Sequence, residues 1–180
     1  MTLQHLILGL LNYGPMSGYD LNKTFQASVQ HFWDTDQSLI YRALYKMTDT
    51  GWVEYVQQVQ EHLPNKKLYR LTEAGYAELH RWLAVPQPTL SFHEVWLGQL
   101  FFGAQLSNAE LRTLLEARIA SLRETLNVYE NQVPENVSAF AEAFNAAEDM
   151  RYWLLTLDYG IFRLRGDLQW AERALRQLDE

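Results

Sequence analysis

The chain has 180 residues, of which 48% are hydrophobic and 13% aromatic, so it can bury the core of one large domain or two small ones. It contains no cysteine, which excludes disulfides, thiolate metal sites and a cysteine nucleophile. The formal net charge of -7 is unevenly distributed. Residues 1–84 hold seven Lys and Arg against eight Asp and Glu, whereas residues 85–180 hold eight against fourteen. Because phosphate contacts need local cations, the acidic second part is not expected to face nucleic acid.

The beginning of the chain carries no targeting signal that we can recognise. Residues 1–5 lack the basic start of a signal peptide, and the apolar run Leu6–Leu11 is far shorter than the roughly 20 residues of a membrane span. We therefore expect a cytoplasmic protein without membrane association.

A proline-rich stretch, residues 84–91, divides the chain, because neither a helix nor a central strand runs through closely spaced prolines. We predict a first domain over residues 1–84, a linker over 85–92 and a helical second domain over 93–180.

The first part begins with three predicted helices. Leu3, Leu6, Ile7, Leu10 and Leu11 share one helical stripe, which Gly14-Pro15 ends. Residues 17–20 resemble a capping box for a second helix, in which Tyr19, Leu21 and Phe25 are expected to be buried. A third helix follows Asp34-Thr35-Asp36, runs over residues 37–47 and stops at Thr50-Gly51.

Two strands, residues 52–59 and 67–71, then flank a polar tip at residues 61–67, and Thr72-Glu73 caps a further helix with apolar Ala74, Ala77, Leu79, Trp82 and Leu83. Three helices followed by a hairpin are typical of a winged helix-turn-helix, whose third helix enters the DNA major groove while the hairpin, the wing, touches the backbone. The fold class predicted is mainly α: a winged helix-turn-helix DNA-binding domain followed by an all-helical dimerisation domain.

The third helix has two faces. Leu39, Ile40, Ala43, Leu44 and Met47 are predicted to face the core, which leaves outward Gln37, Ser38, Tyr41, Arg42, Tyr45, Lys46 and Asp49. Gln and Arg can bond base edges, and Ser, Tyr and Lys more often contact phosphate. All of these except Asp49 are predicted DNA-binding residues. The alternative is an ordinary solvated amphipathic helix.

The wing supplies Asn65, Lys66 and Lys67 as further predicted DNA contacts, although paired lysines on a hairpin also serve solubility and guard a sheet edge. Asp34 and Asp36 would repel phosphate, yet either residue can cap the third helix.

The second part is helical in pattern. A capping box at Ser107–Glu110 opens one helix, and a heptad-like seam marks the last: Ala147, Met150, Leu154, Leu157, Ile161, Leu164, Leu168, Ala171, Leu175 and Leu178. Such a seam needs a partner, so we expect a homodimer. The aromatic residues of this part admit an interhelical core or a cavity for a flat aromatic effector, for which Trp96, Phe101 and Trp153 are the candidates.

Catalytic and metal-binding motifs are absent from the sequence. The five histidines are scattered without the one-turn spacing of a helical metal pair, and no nucleotide-binding loop or nucleophile elbow occurs. We predict no enzyme activity, no cofactor and no metal.

Several spaced elements resemble the PadR family of transcriptional regulators. They are Leu6-Ile-Leu8 with Gly14-Pro15, Ser17-Gly-Tyr-Asp-Leu21, Phe32-Trp33, Ile40-Tyr-Arg-Ala-Leu44 with Gly51, and Tyr69-Arg-Leu-Thr72 with Gly75. Leu154, Leu157, Gly160 and Trp170 resemble the helical C-terminal region of one subfamily.

The resemblance implies a homodimeric repressor that binds a pseudo-palindromic double-stranded operator and is released by a small aromatic effector. It places Tyr41 and Arg42 in the recognition helix and Lys66 and Lys67 in the wing. The alternative is a winged-helix protein-interaction module that has lost DNA binding, which the low charge of the first part would allow.

Overall fold

The computed structural model describes residues 2–30, 32–58, 66–87 and 94–178. The helices are α1 Thr2–Leu11, α2 Gly18–Ser28, α3 Gln37–Asp49, α4 Glu73–Ala84, α5 Val95–Phe101, α6 Asn108–Asn131, α7 Val133–Ala143 and α8 Met150–Gln177. The strands are β1 Met16–Ser17, β2 Val53–Gln58 and β3 Lys66–Leu71, and a short 3-10 helix spans Gly103–Gln105. The mainly helical winged helix-turn-helix fold predicted from the sequence is confirmed. The chain forms two compact units, residues 1–87 with 140–146 and residues 88–139 with 147–180.

The first unit contains an antiparallel sheet of order β1-β3-β2. The hairpin register pairs Val53 with Leu71 and Gln58 with Lys66. The two-residue strand β1, which pairs Met16 with Tyr69, was not predicted because it is too short to show an alternating pattern. The side chains most fully buried in this unit come from α1, α2, α3 and β2: Ile7, Leu8, Leu11, Leu21, Phe25, Ile40, Leu44, Met47 and Val53.

Three predicted helix starts are confirmed by their caps. The side chains of Ser17, Asp36 and Thr72 accept hydrogen bonds from the backbone N–H groups of Asp20, Leu39 and Gly75. These bonds satisfy backbone donors that the first helical turn leaves without partners.

Some residues expected in the core are exposed. Tyr19, Leu39 and Leu83 are all classed as exposed, because each lies at the edge of its helix's apolar stripe while neighbours such as Leu21, Ile40 and Leu79 point inward. Ala74 and Ala77 are likewise exposed on α4.

A buried polar contact joins α1 to α4 in the first unit. The Nε2 atom of His5 lies 2.8 Å from Oε1 of Glu78, and the His5 ring stacks on Trp82 with centroids 4.9 Å apart. Glu78 also accepts two hydrogen bonds from Arg81, and Arg81 and His5 together lower the pKa of Glu78 from 4.5 to about 2.

The second unit is built on the pairing of α6 with α8. The predicted capping box opens α6: Ser107 Oγ accepts from the Glu110 N–H, and the Glu110 carboxylate accepts from the Ser107 N–H. Ile119, Leu122 and Ala171 form a buried cluster, against which Leu164, Leu168, Trp170 and Leu175 pack.

The sequence analysis assigned the heptad-like seam of α8 to a partner chain, and this packing shows that part of it has a partner within the same chain. Its C-terminal half, from Leu164 to Leu175, is covered by α6 of the same chain, and Ala147 lies before the helix begins at Met150. A different stripe is exposed, made of Tyr152, Leu155, Tyr159 and Phe162. Among the helices that the structure describes, none combines the length and hydropathy of a membrane span.

Candidate nucleic-acid interface

The helix α3 presents a polar face to solvent. Ile40, Ala43, Leu44 and Met47 are buried, and they fix the rotation of the helix about its axis. The opposite side exposes five of the predicted contact residues: Gln37, Ser38, Arg42, Tyr45 and Lys46. Ser38, Arg42, Tyr45 and Lys46 are three or four residues apart along the helix, and with Gln37 they form one surface about three turns long.

The carboxylate of Asp36 is engaged at the beginning of α3. It accepts hydrogen bonds from Ser38 Oγ at 2.6 Å and from the Leu39 N–H at 2.9 Å. These two bonds hold the pKa of Asp36 below its usual value. Asp36 is therefore the N-cap residue of α3. Because the Ser38 hydroxyl donates its hydrogen to Asp36, only the oxygen of Ser38 remains for a further hydrogen bond, as an acceptor.

Tyr41 is half-buried and not fully outward, because its ring covers the backbone of Gly18 at the start of α2. A Cβ atom built on Gly18 would lie 2.6 Å from Cζ of Tyr41, so the glycine makes room for this ring. This contact gives a physical reason for a glycine between Ser17 and Tyr19. The predicted role of Tyr41 in DNA binding stays a prediction.

The two lysines of the wing lie in β3, and successive residues of a strand point to opposite faces. The Nζ atom of Lys66 lies 2.7 Å from Oδ2 of Asp20 in α2. The Nζ atom of Lys67 lies 4.2 Å from the ring centre of Tyr55 and 5.8 Å from that of Tyr45 on α3. Contact with Tyr55 raises the pKa of Lys67. Asn65, the third predicted wing contact, lies outside the described residues.

Internal ion pairs occupy three of the seven cations of the first unit. Arg70 pairs with Glu54, Arg81 with Glu78 and Lys66 with Asp20. Residues 1–84 contain seven lysines and arginines. Four of them make no ion pair with another described residue: Lys23, Arg42, Lys46 and Lys67. Three of these four, Arg42, Lys46 and Lys67, lie on α3 or beside Tyr45, so the cations without an ion pair are concentrated there.

Sequence reasoning missed Asp20 and Tyr55 as neighbours of the wing lysines. The strand alternation contained a signal for Tyr55, since it pairs with Tyr69 in the hairpin register and shares a face with Lys67. Nothing local indicated Asp20, because its contact with Lys66 joins residues 46 positions apart.

The three candidate effector residues do not share one described cleft. Trp96 lines a cleft between α5 and α6 with Leu100, Leu111 and Arg118 among its walls. Phe101 is 82% exposed and packs edge-on against Phe102, and Trp153 is half-buried on α8. Their role in binding stays a prediction. Within the described ranges, no group of three or more His, Asp or Glu side chains is arranged to hold a metal ion.

A winged helix with a polar, cationic third helix and an all-helical second unit defines a class of transcriptional regulators. Residues 7–81 match the model of the transcriptional regulator PadR-like family, and residues 94–179 match the model described as virulence activator alpha C-term. The negative transcriptional regulator PadR of Bacillus subtilis (strain 168) is 32% identical over 184 residues, which cover 99% of this chain and 98% of the relative. The chain belongs to the PadR-like family of transcriptional regulators.

Solved structures agree with this assignment. A crystal structure of Bacillus subtilis PadR in complex with operator DNA is similar with a TM-score of 0.81 and 28% identity, covering 99% of each chain. A second, of Bacillus subtilis PadR in complex with p-coumaric acid, has a TM-score of 0.76 and 27% identity and covers 100% of each chain.

Proposed function

We propose that this protein is a homodimeric, sequence-specific repressor that binds a pseudo-palindromic double-stranded operator and responds to a small aromatic effector. The observation that carries DNA binding is the outer face of α3, where Arg42 and Lys46 are exposed and make no ion pair with another described residue. An exposed arginine on the same helix as Gln37 can reach base edges, and an exposed lysine without an ion pair can neutralise a phosphate. The proposed activity is binding and not catalysis.

The wing supports the same surface through Lys67. Its ammonium lies over Tyr55 and near Tyr45, so the charge stays close to α3. Lys67 pairs with no carboxylate of a described residue, whereas Lys66 pairs with Asp20, so the charge of Lys67 is not neutralised by an acid. Lys67 is therefore the better placed of the two wing lysines for a phosphate of the DNA backbone.

The exposed stripe on α8 supports the homodimer. Tyr152, Leu155, Tyr159 and Phe162 are spaced by three, four and three residues and are between 52% and 72% exposed. A run of large apolar side chains on one helix face marks an interaction site in a soluble protein. The same stripe on a second copy of the chain can cover it in a dimer with two-fold symmetry. A two-fold symmetric dimer matches a pseudo-palindromic operator.

Repression and the response to an effector follow from the relatives. The relative of 32% identity is named a negative regulator, and p-coumaric acid is the ligand in one of the similar structures. We carry both properties over as proposals for this chain.

Fluorescence anisotropy with a labelled duplex from the chain's own upstream region tests DNA binding. The parent should bind this duplex more tightly than a shuffled sequence of equal length, and p-coumarate should weaken the complex. The double variant Arg42→Ala/Lys46→Ala should lose binding. Arg173→Ala, which removes an exposed cation of α8, is the matched control and should bind as the parent does. A parent that binds no duplex at low salt would support the protein-interaction alternative instead.

A further inference from the structure

One face of the β2–β3 hairpin changes from buried to half-exposed along its length. Near the base of the hairpin this face carries Val53, Tyr69 and Leu71, which are all buried. Nearer the tip the same face carries Tyr55 and Lys67, which are only partly covered. Lys67 therefore lies where the core-facing side of the wing meets solvent.

Tyr55 reaches Lys67 across the hairpin. In the register Tyr55 lies opposite Tyr69 and Gln57 lies opposite Lys67, so Tyr55 and Lys67 are diagonal neighbours on one face. The Nζ atom of Lys67 lies 4.2 Å from the ring centre of Tyr55, well within the roughly 6 Å of a cation–π contact. The buried ring of Tyr69 supports that of Tyr55, with ring centres 5.6 Å apart. Tyr55 is therefore a supported platform for the ammonium.

The helix α3 contributes to the same cluster through Tyr45. The ring centre of Tyr45 lies 5.8 Å from Nζ of Lys67, and Tyr45 belongs to the exposed face of α3 that carries Arg42 and Lys46. A lysine that moves freely loses rotamer entropy when it binds a phosphate. Because contact with the rings already restricts Lys67, less of this entropy remains to be lost on binding.

The neighbouring Lys66 shows a different way to hold a lysine. Its ammonium lies 2.7 Å from a carboxylate oxygen of Asp20, so its charge is neutralised within the chain. A tyrosine ring attracts an ammonium through its quadrupole and carries no charge that would cancel it. Contact with Tyr55 also raises the pKa of Lys67, which favours the charged form. The ring therefore fixes the position of Lys67 and preserves its charge.

We propose that Tyr55 is a positioning residue for DNA binding, which holds the ammonium of Lys67 beside α3 so that the wing and α3 present one continuous surface to the phosphates. This inference rests on the DNA binding proposed above, and adds to it a residue that acts through Lys67. The contribution of Tyr55 to DNA affinity should therefore exist only while Lys67 is present.

A double-mutant cycle, measured by anisotropy with the upstream duplex, tests this dependence. Tyr55→Leu keeps a large apolar side chain and should weaken binding about 2- to 5-fold, the range of an exposed cation–π contact. The same change in a Lys67→Ala background should have no effect, because no ammonium is left to position. Tyr55→Phe keeps the ring and should bind as the parent does. Tyr55→Ile, with a strand-forming residue, carries the test if Tyr55→Leu fails to fold.

Nuclear magnetic resonance of the full chain without DNA gives a second readout. Protons above the face of an aromatic ring resonate upfield, so the ε-methylene protons of Lys67 should lie upfield of those of the exposed Lys46. The upfield position should persist in Tyr55→Phe and be lost in Tyr55→Leu. Lys67→Ala assigns the signals by removing them. A tyrosine that only stabilises the hairpin would not produce this pattern.

Tyr76→Leu makes the same change at a tyrosine of α4 that is 50% exposed, and as the control it should alter neither the affinity nor the Lys67 signals. The proposal is overturned if Tyr55→Leu binds as the parent does, or weakens binding equally with and without Lys67. It is also overturned if Tyr55→Phe loses as much affinity as Tyr55→Leu, or if the Lys67 signals of the parent are not upfield. A parent that binds no duplex at low salt counts against the proposed repressor itself, and the role of Tyr55 in DNA binding is then rejected with it.

Discussion

The usefulness of a cation for DNA binding depends on the interactions that it must give up. Arg42 and Lys46 are exposed and make no ion pair with a described residue, so phosphate or base contact does not require either of them to break one. Lys66 must leave Asp20, whose oxygen lies 2.7 Å from its ammonium. Arg42, Lys46 and Lys66 are therefore expected to differ in their contributions to DNA binding.

Replacing Arg42 by Ala should weaken operator binding without changing the melting temperature, since the side chain lies on the solvent side of α3. If Arg42 contacts a base, the loss should be about 1–3 kcal/mol and confined to one operator position. Anisotropy titrations against a set of single-base operator variants measure this. Equal loss on every sequence would instead identify Arg42 as a phosphate contact.

Asp20 should limit the contribution of Lys66 to DNA binding. Lys46→Ala should flatten the slope of log K against log salt by about 1, whereas Lys66→Ala should change it much less. Asp20→Asn should release Lys66 and steepen the slope by up to about 1. Binding titrations between 50 and 200 mM salt, roughly the range over which phosphate contacts are lost, provide the measurement. If Lys66→Ala and Lys46→Ala flatten the slope equally, Asp20 does not restrain the lysine.

Local patterns predicted the elements well where a cap and a stripe coincide. Ser17, Asp36, Thr72 and Ser107 each begin the helix that the sequence placed after them. A helix cap joins two residues that are three positions apart in the sequence. A cap can therefore be predicted from a short stretch of sequence without knowledge of the tertiary fold.

Contacts between distant residues could not be predicted in the same way. The pairing of Lys66 with Asp20, the ring of Tyr41 on Gly18 and the unpaired donor of Arg118 beside Trp96 all depend on tertiary packing. Residue type and helix position were enough to predict Arg42 and Lys46 as DNA contacts on α3. They did not show which cations form ion pairs with acids of the same chain. The recognition helix was therefore predicted in more detail than the wing or the cleft at Trp96.

The contact of α1 with α4 should make the stability of the first unit sensitive to acid through Glu78. Because the folded pKa of Glu78 is lowered from 4.5 to about 2, its contribution is complete above pH 4.5 and is lost as the pH falls through about 2. Glu78→Gln should therefore destabilise the protein at pH 7 by about 1–2 kcal/mol, a value that allows for screening at Arg81, which is 63% exposed.

Urea denaturation of parent and variant at pH 7, 4.5 and 2.5 measures this contribution. The difference in the free energy of unfolding should be similar at the two higher pH values and smaller at the lowest. Glu73→Gln, a change at an exposed glutamate of the same helix, is the control and should show no such trend. A difference that does not depend on pH would mean that Glu78 acts through packing and not through its charge.

At the scale of the whole molecule, α8 carries two apolar stripes, and periodicity alone could not assign a partner to either. The stripe from Leu157 to Leu175 includes residues that pack on α6 of the same chain. The stripe from Tyr152 to Phe162 is offset from it by two residues, which rotates it by about 200° to the other side of the helix. The first stripe therefore serves folding, and the second is available for a second copy.

Charged substitutions on the two stripes should have opposite consequences. Tyr159→Glu and Phe162→Glu alter side chains that are 63% and 72% exposed, so each should dissociate the dimer while the far-ultraviolet circular dichroism stays that of the parent. Leu157→Glu alters a side chain that is 4% exposed and should destabilise the second unit by about 3 kcal/mol or more, because it buries a charge without a partner. Sedimentation equilibrium and thermal denaturation distinguish the two effects.

The same variants connect the dimer to the operator. A folded, monomeric Tyr159→Glu protein should still bind a single half-site weakly. Its affinity for the full pseudo-palindrome should fall towards its affinity for a half-site, because the two DNA-binding units are no longer joined in one dimer. Gln169→Glu, which adds the same charge at an exposed polar position of α8, should keep both the dimer and the full affinity. If Tyr159→Glu and Phe162→Glu remain dimeric, the dimer uses another surface and the exposed stripe of α8 has no part in it.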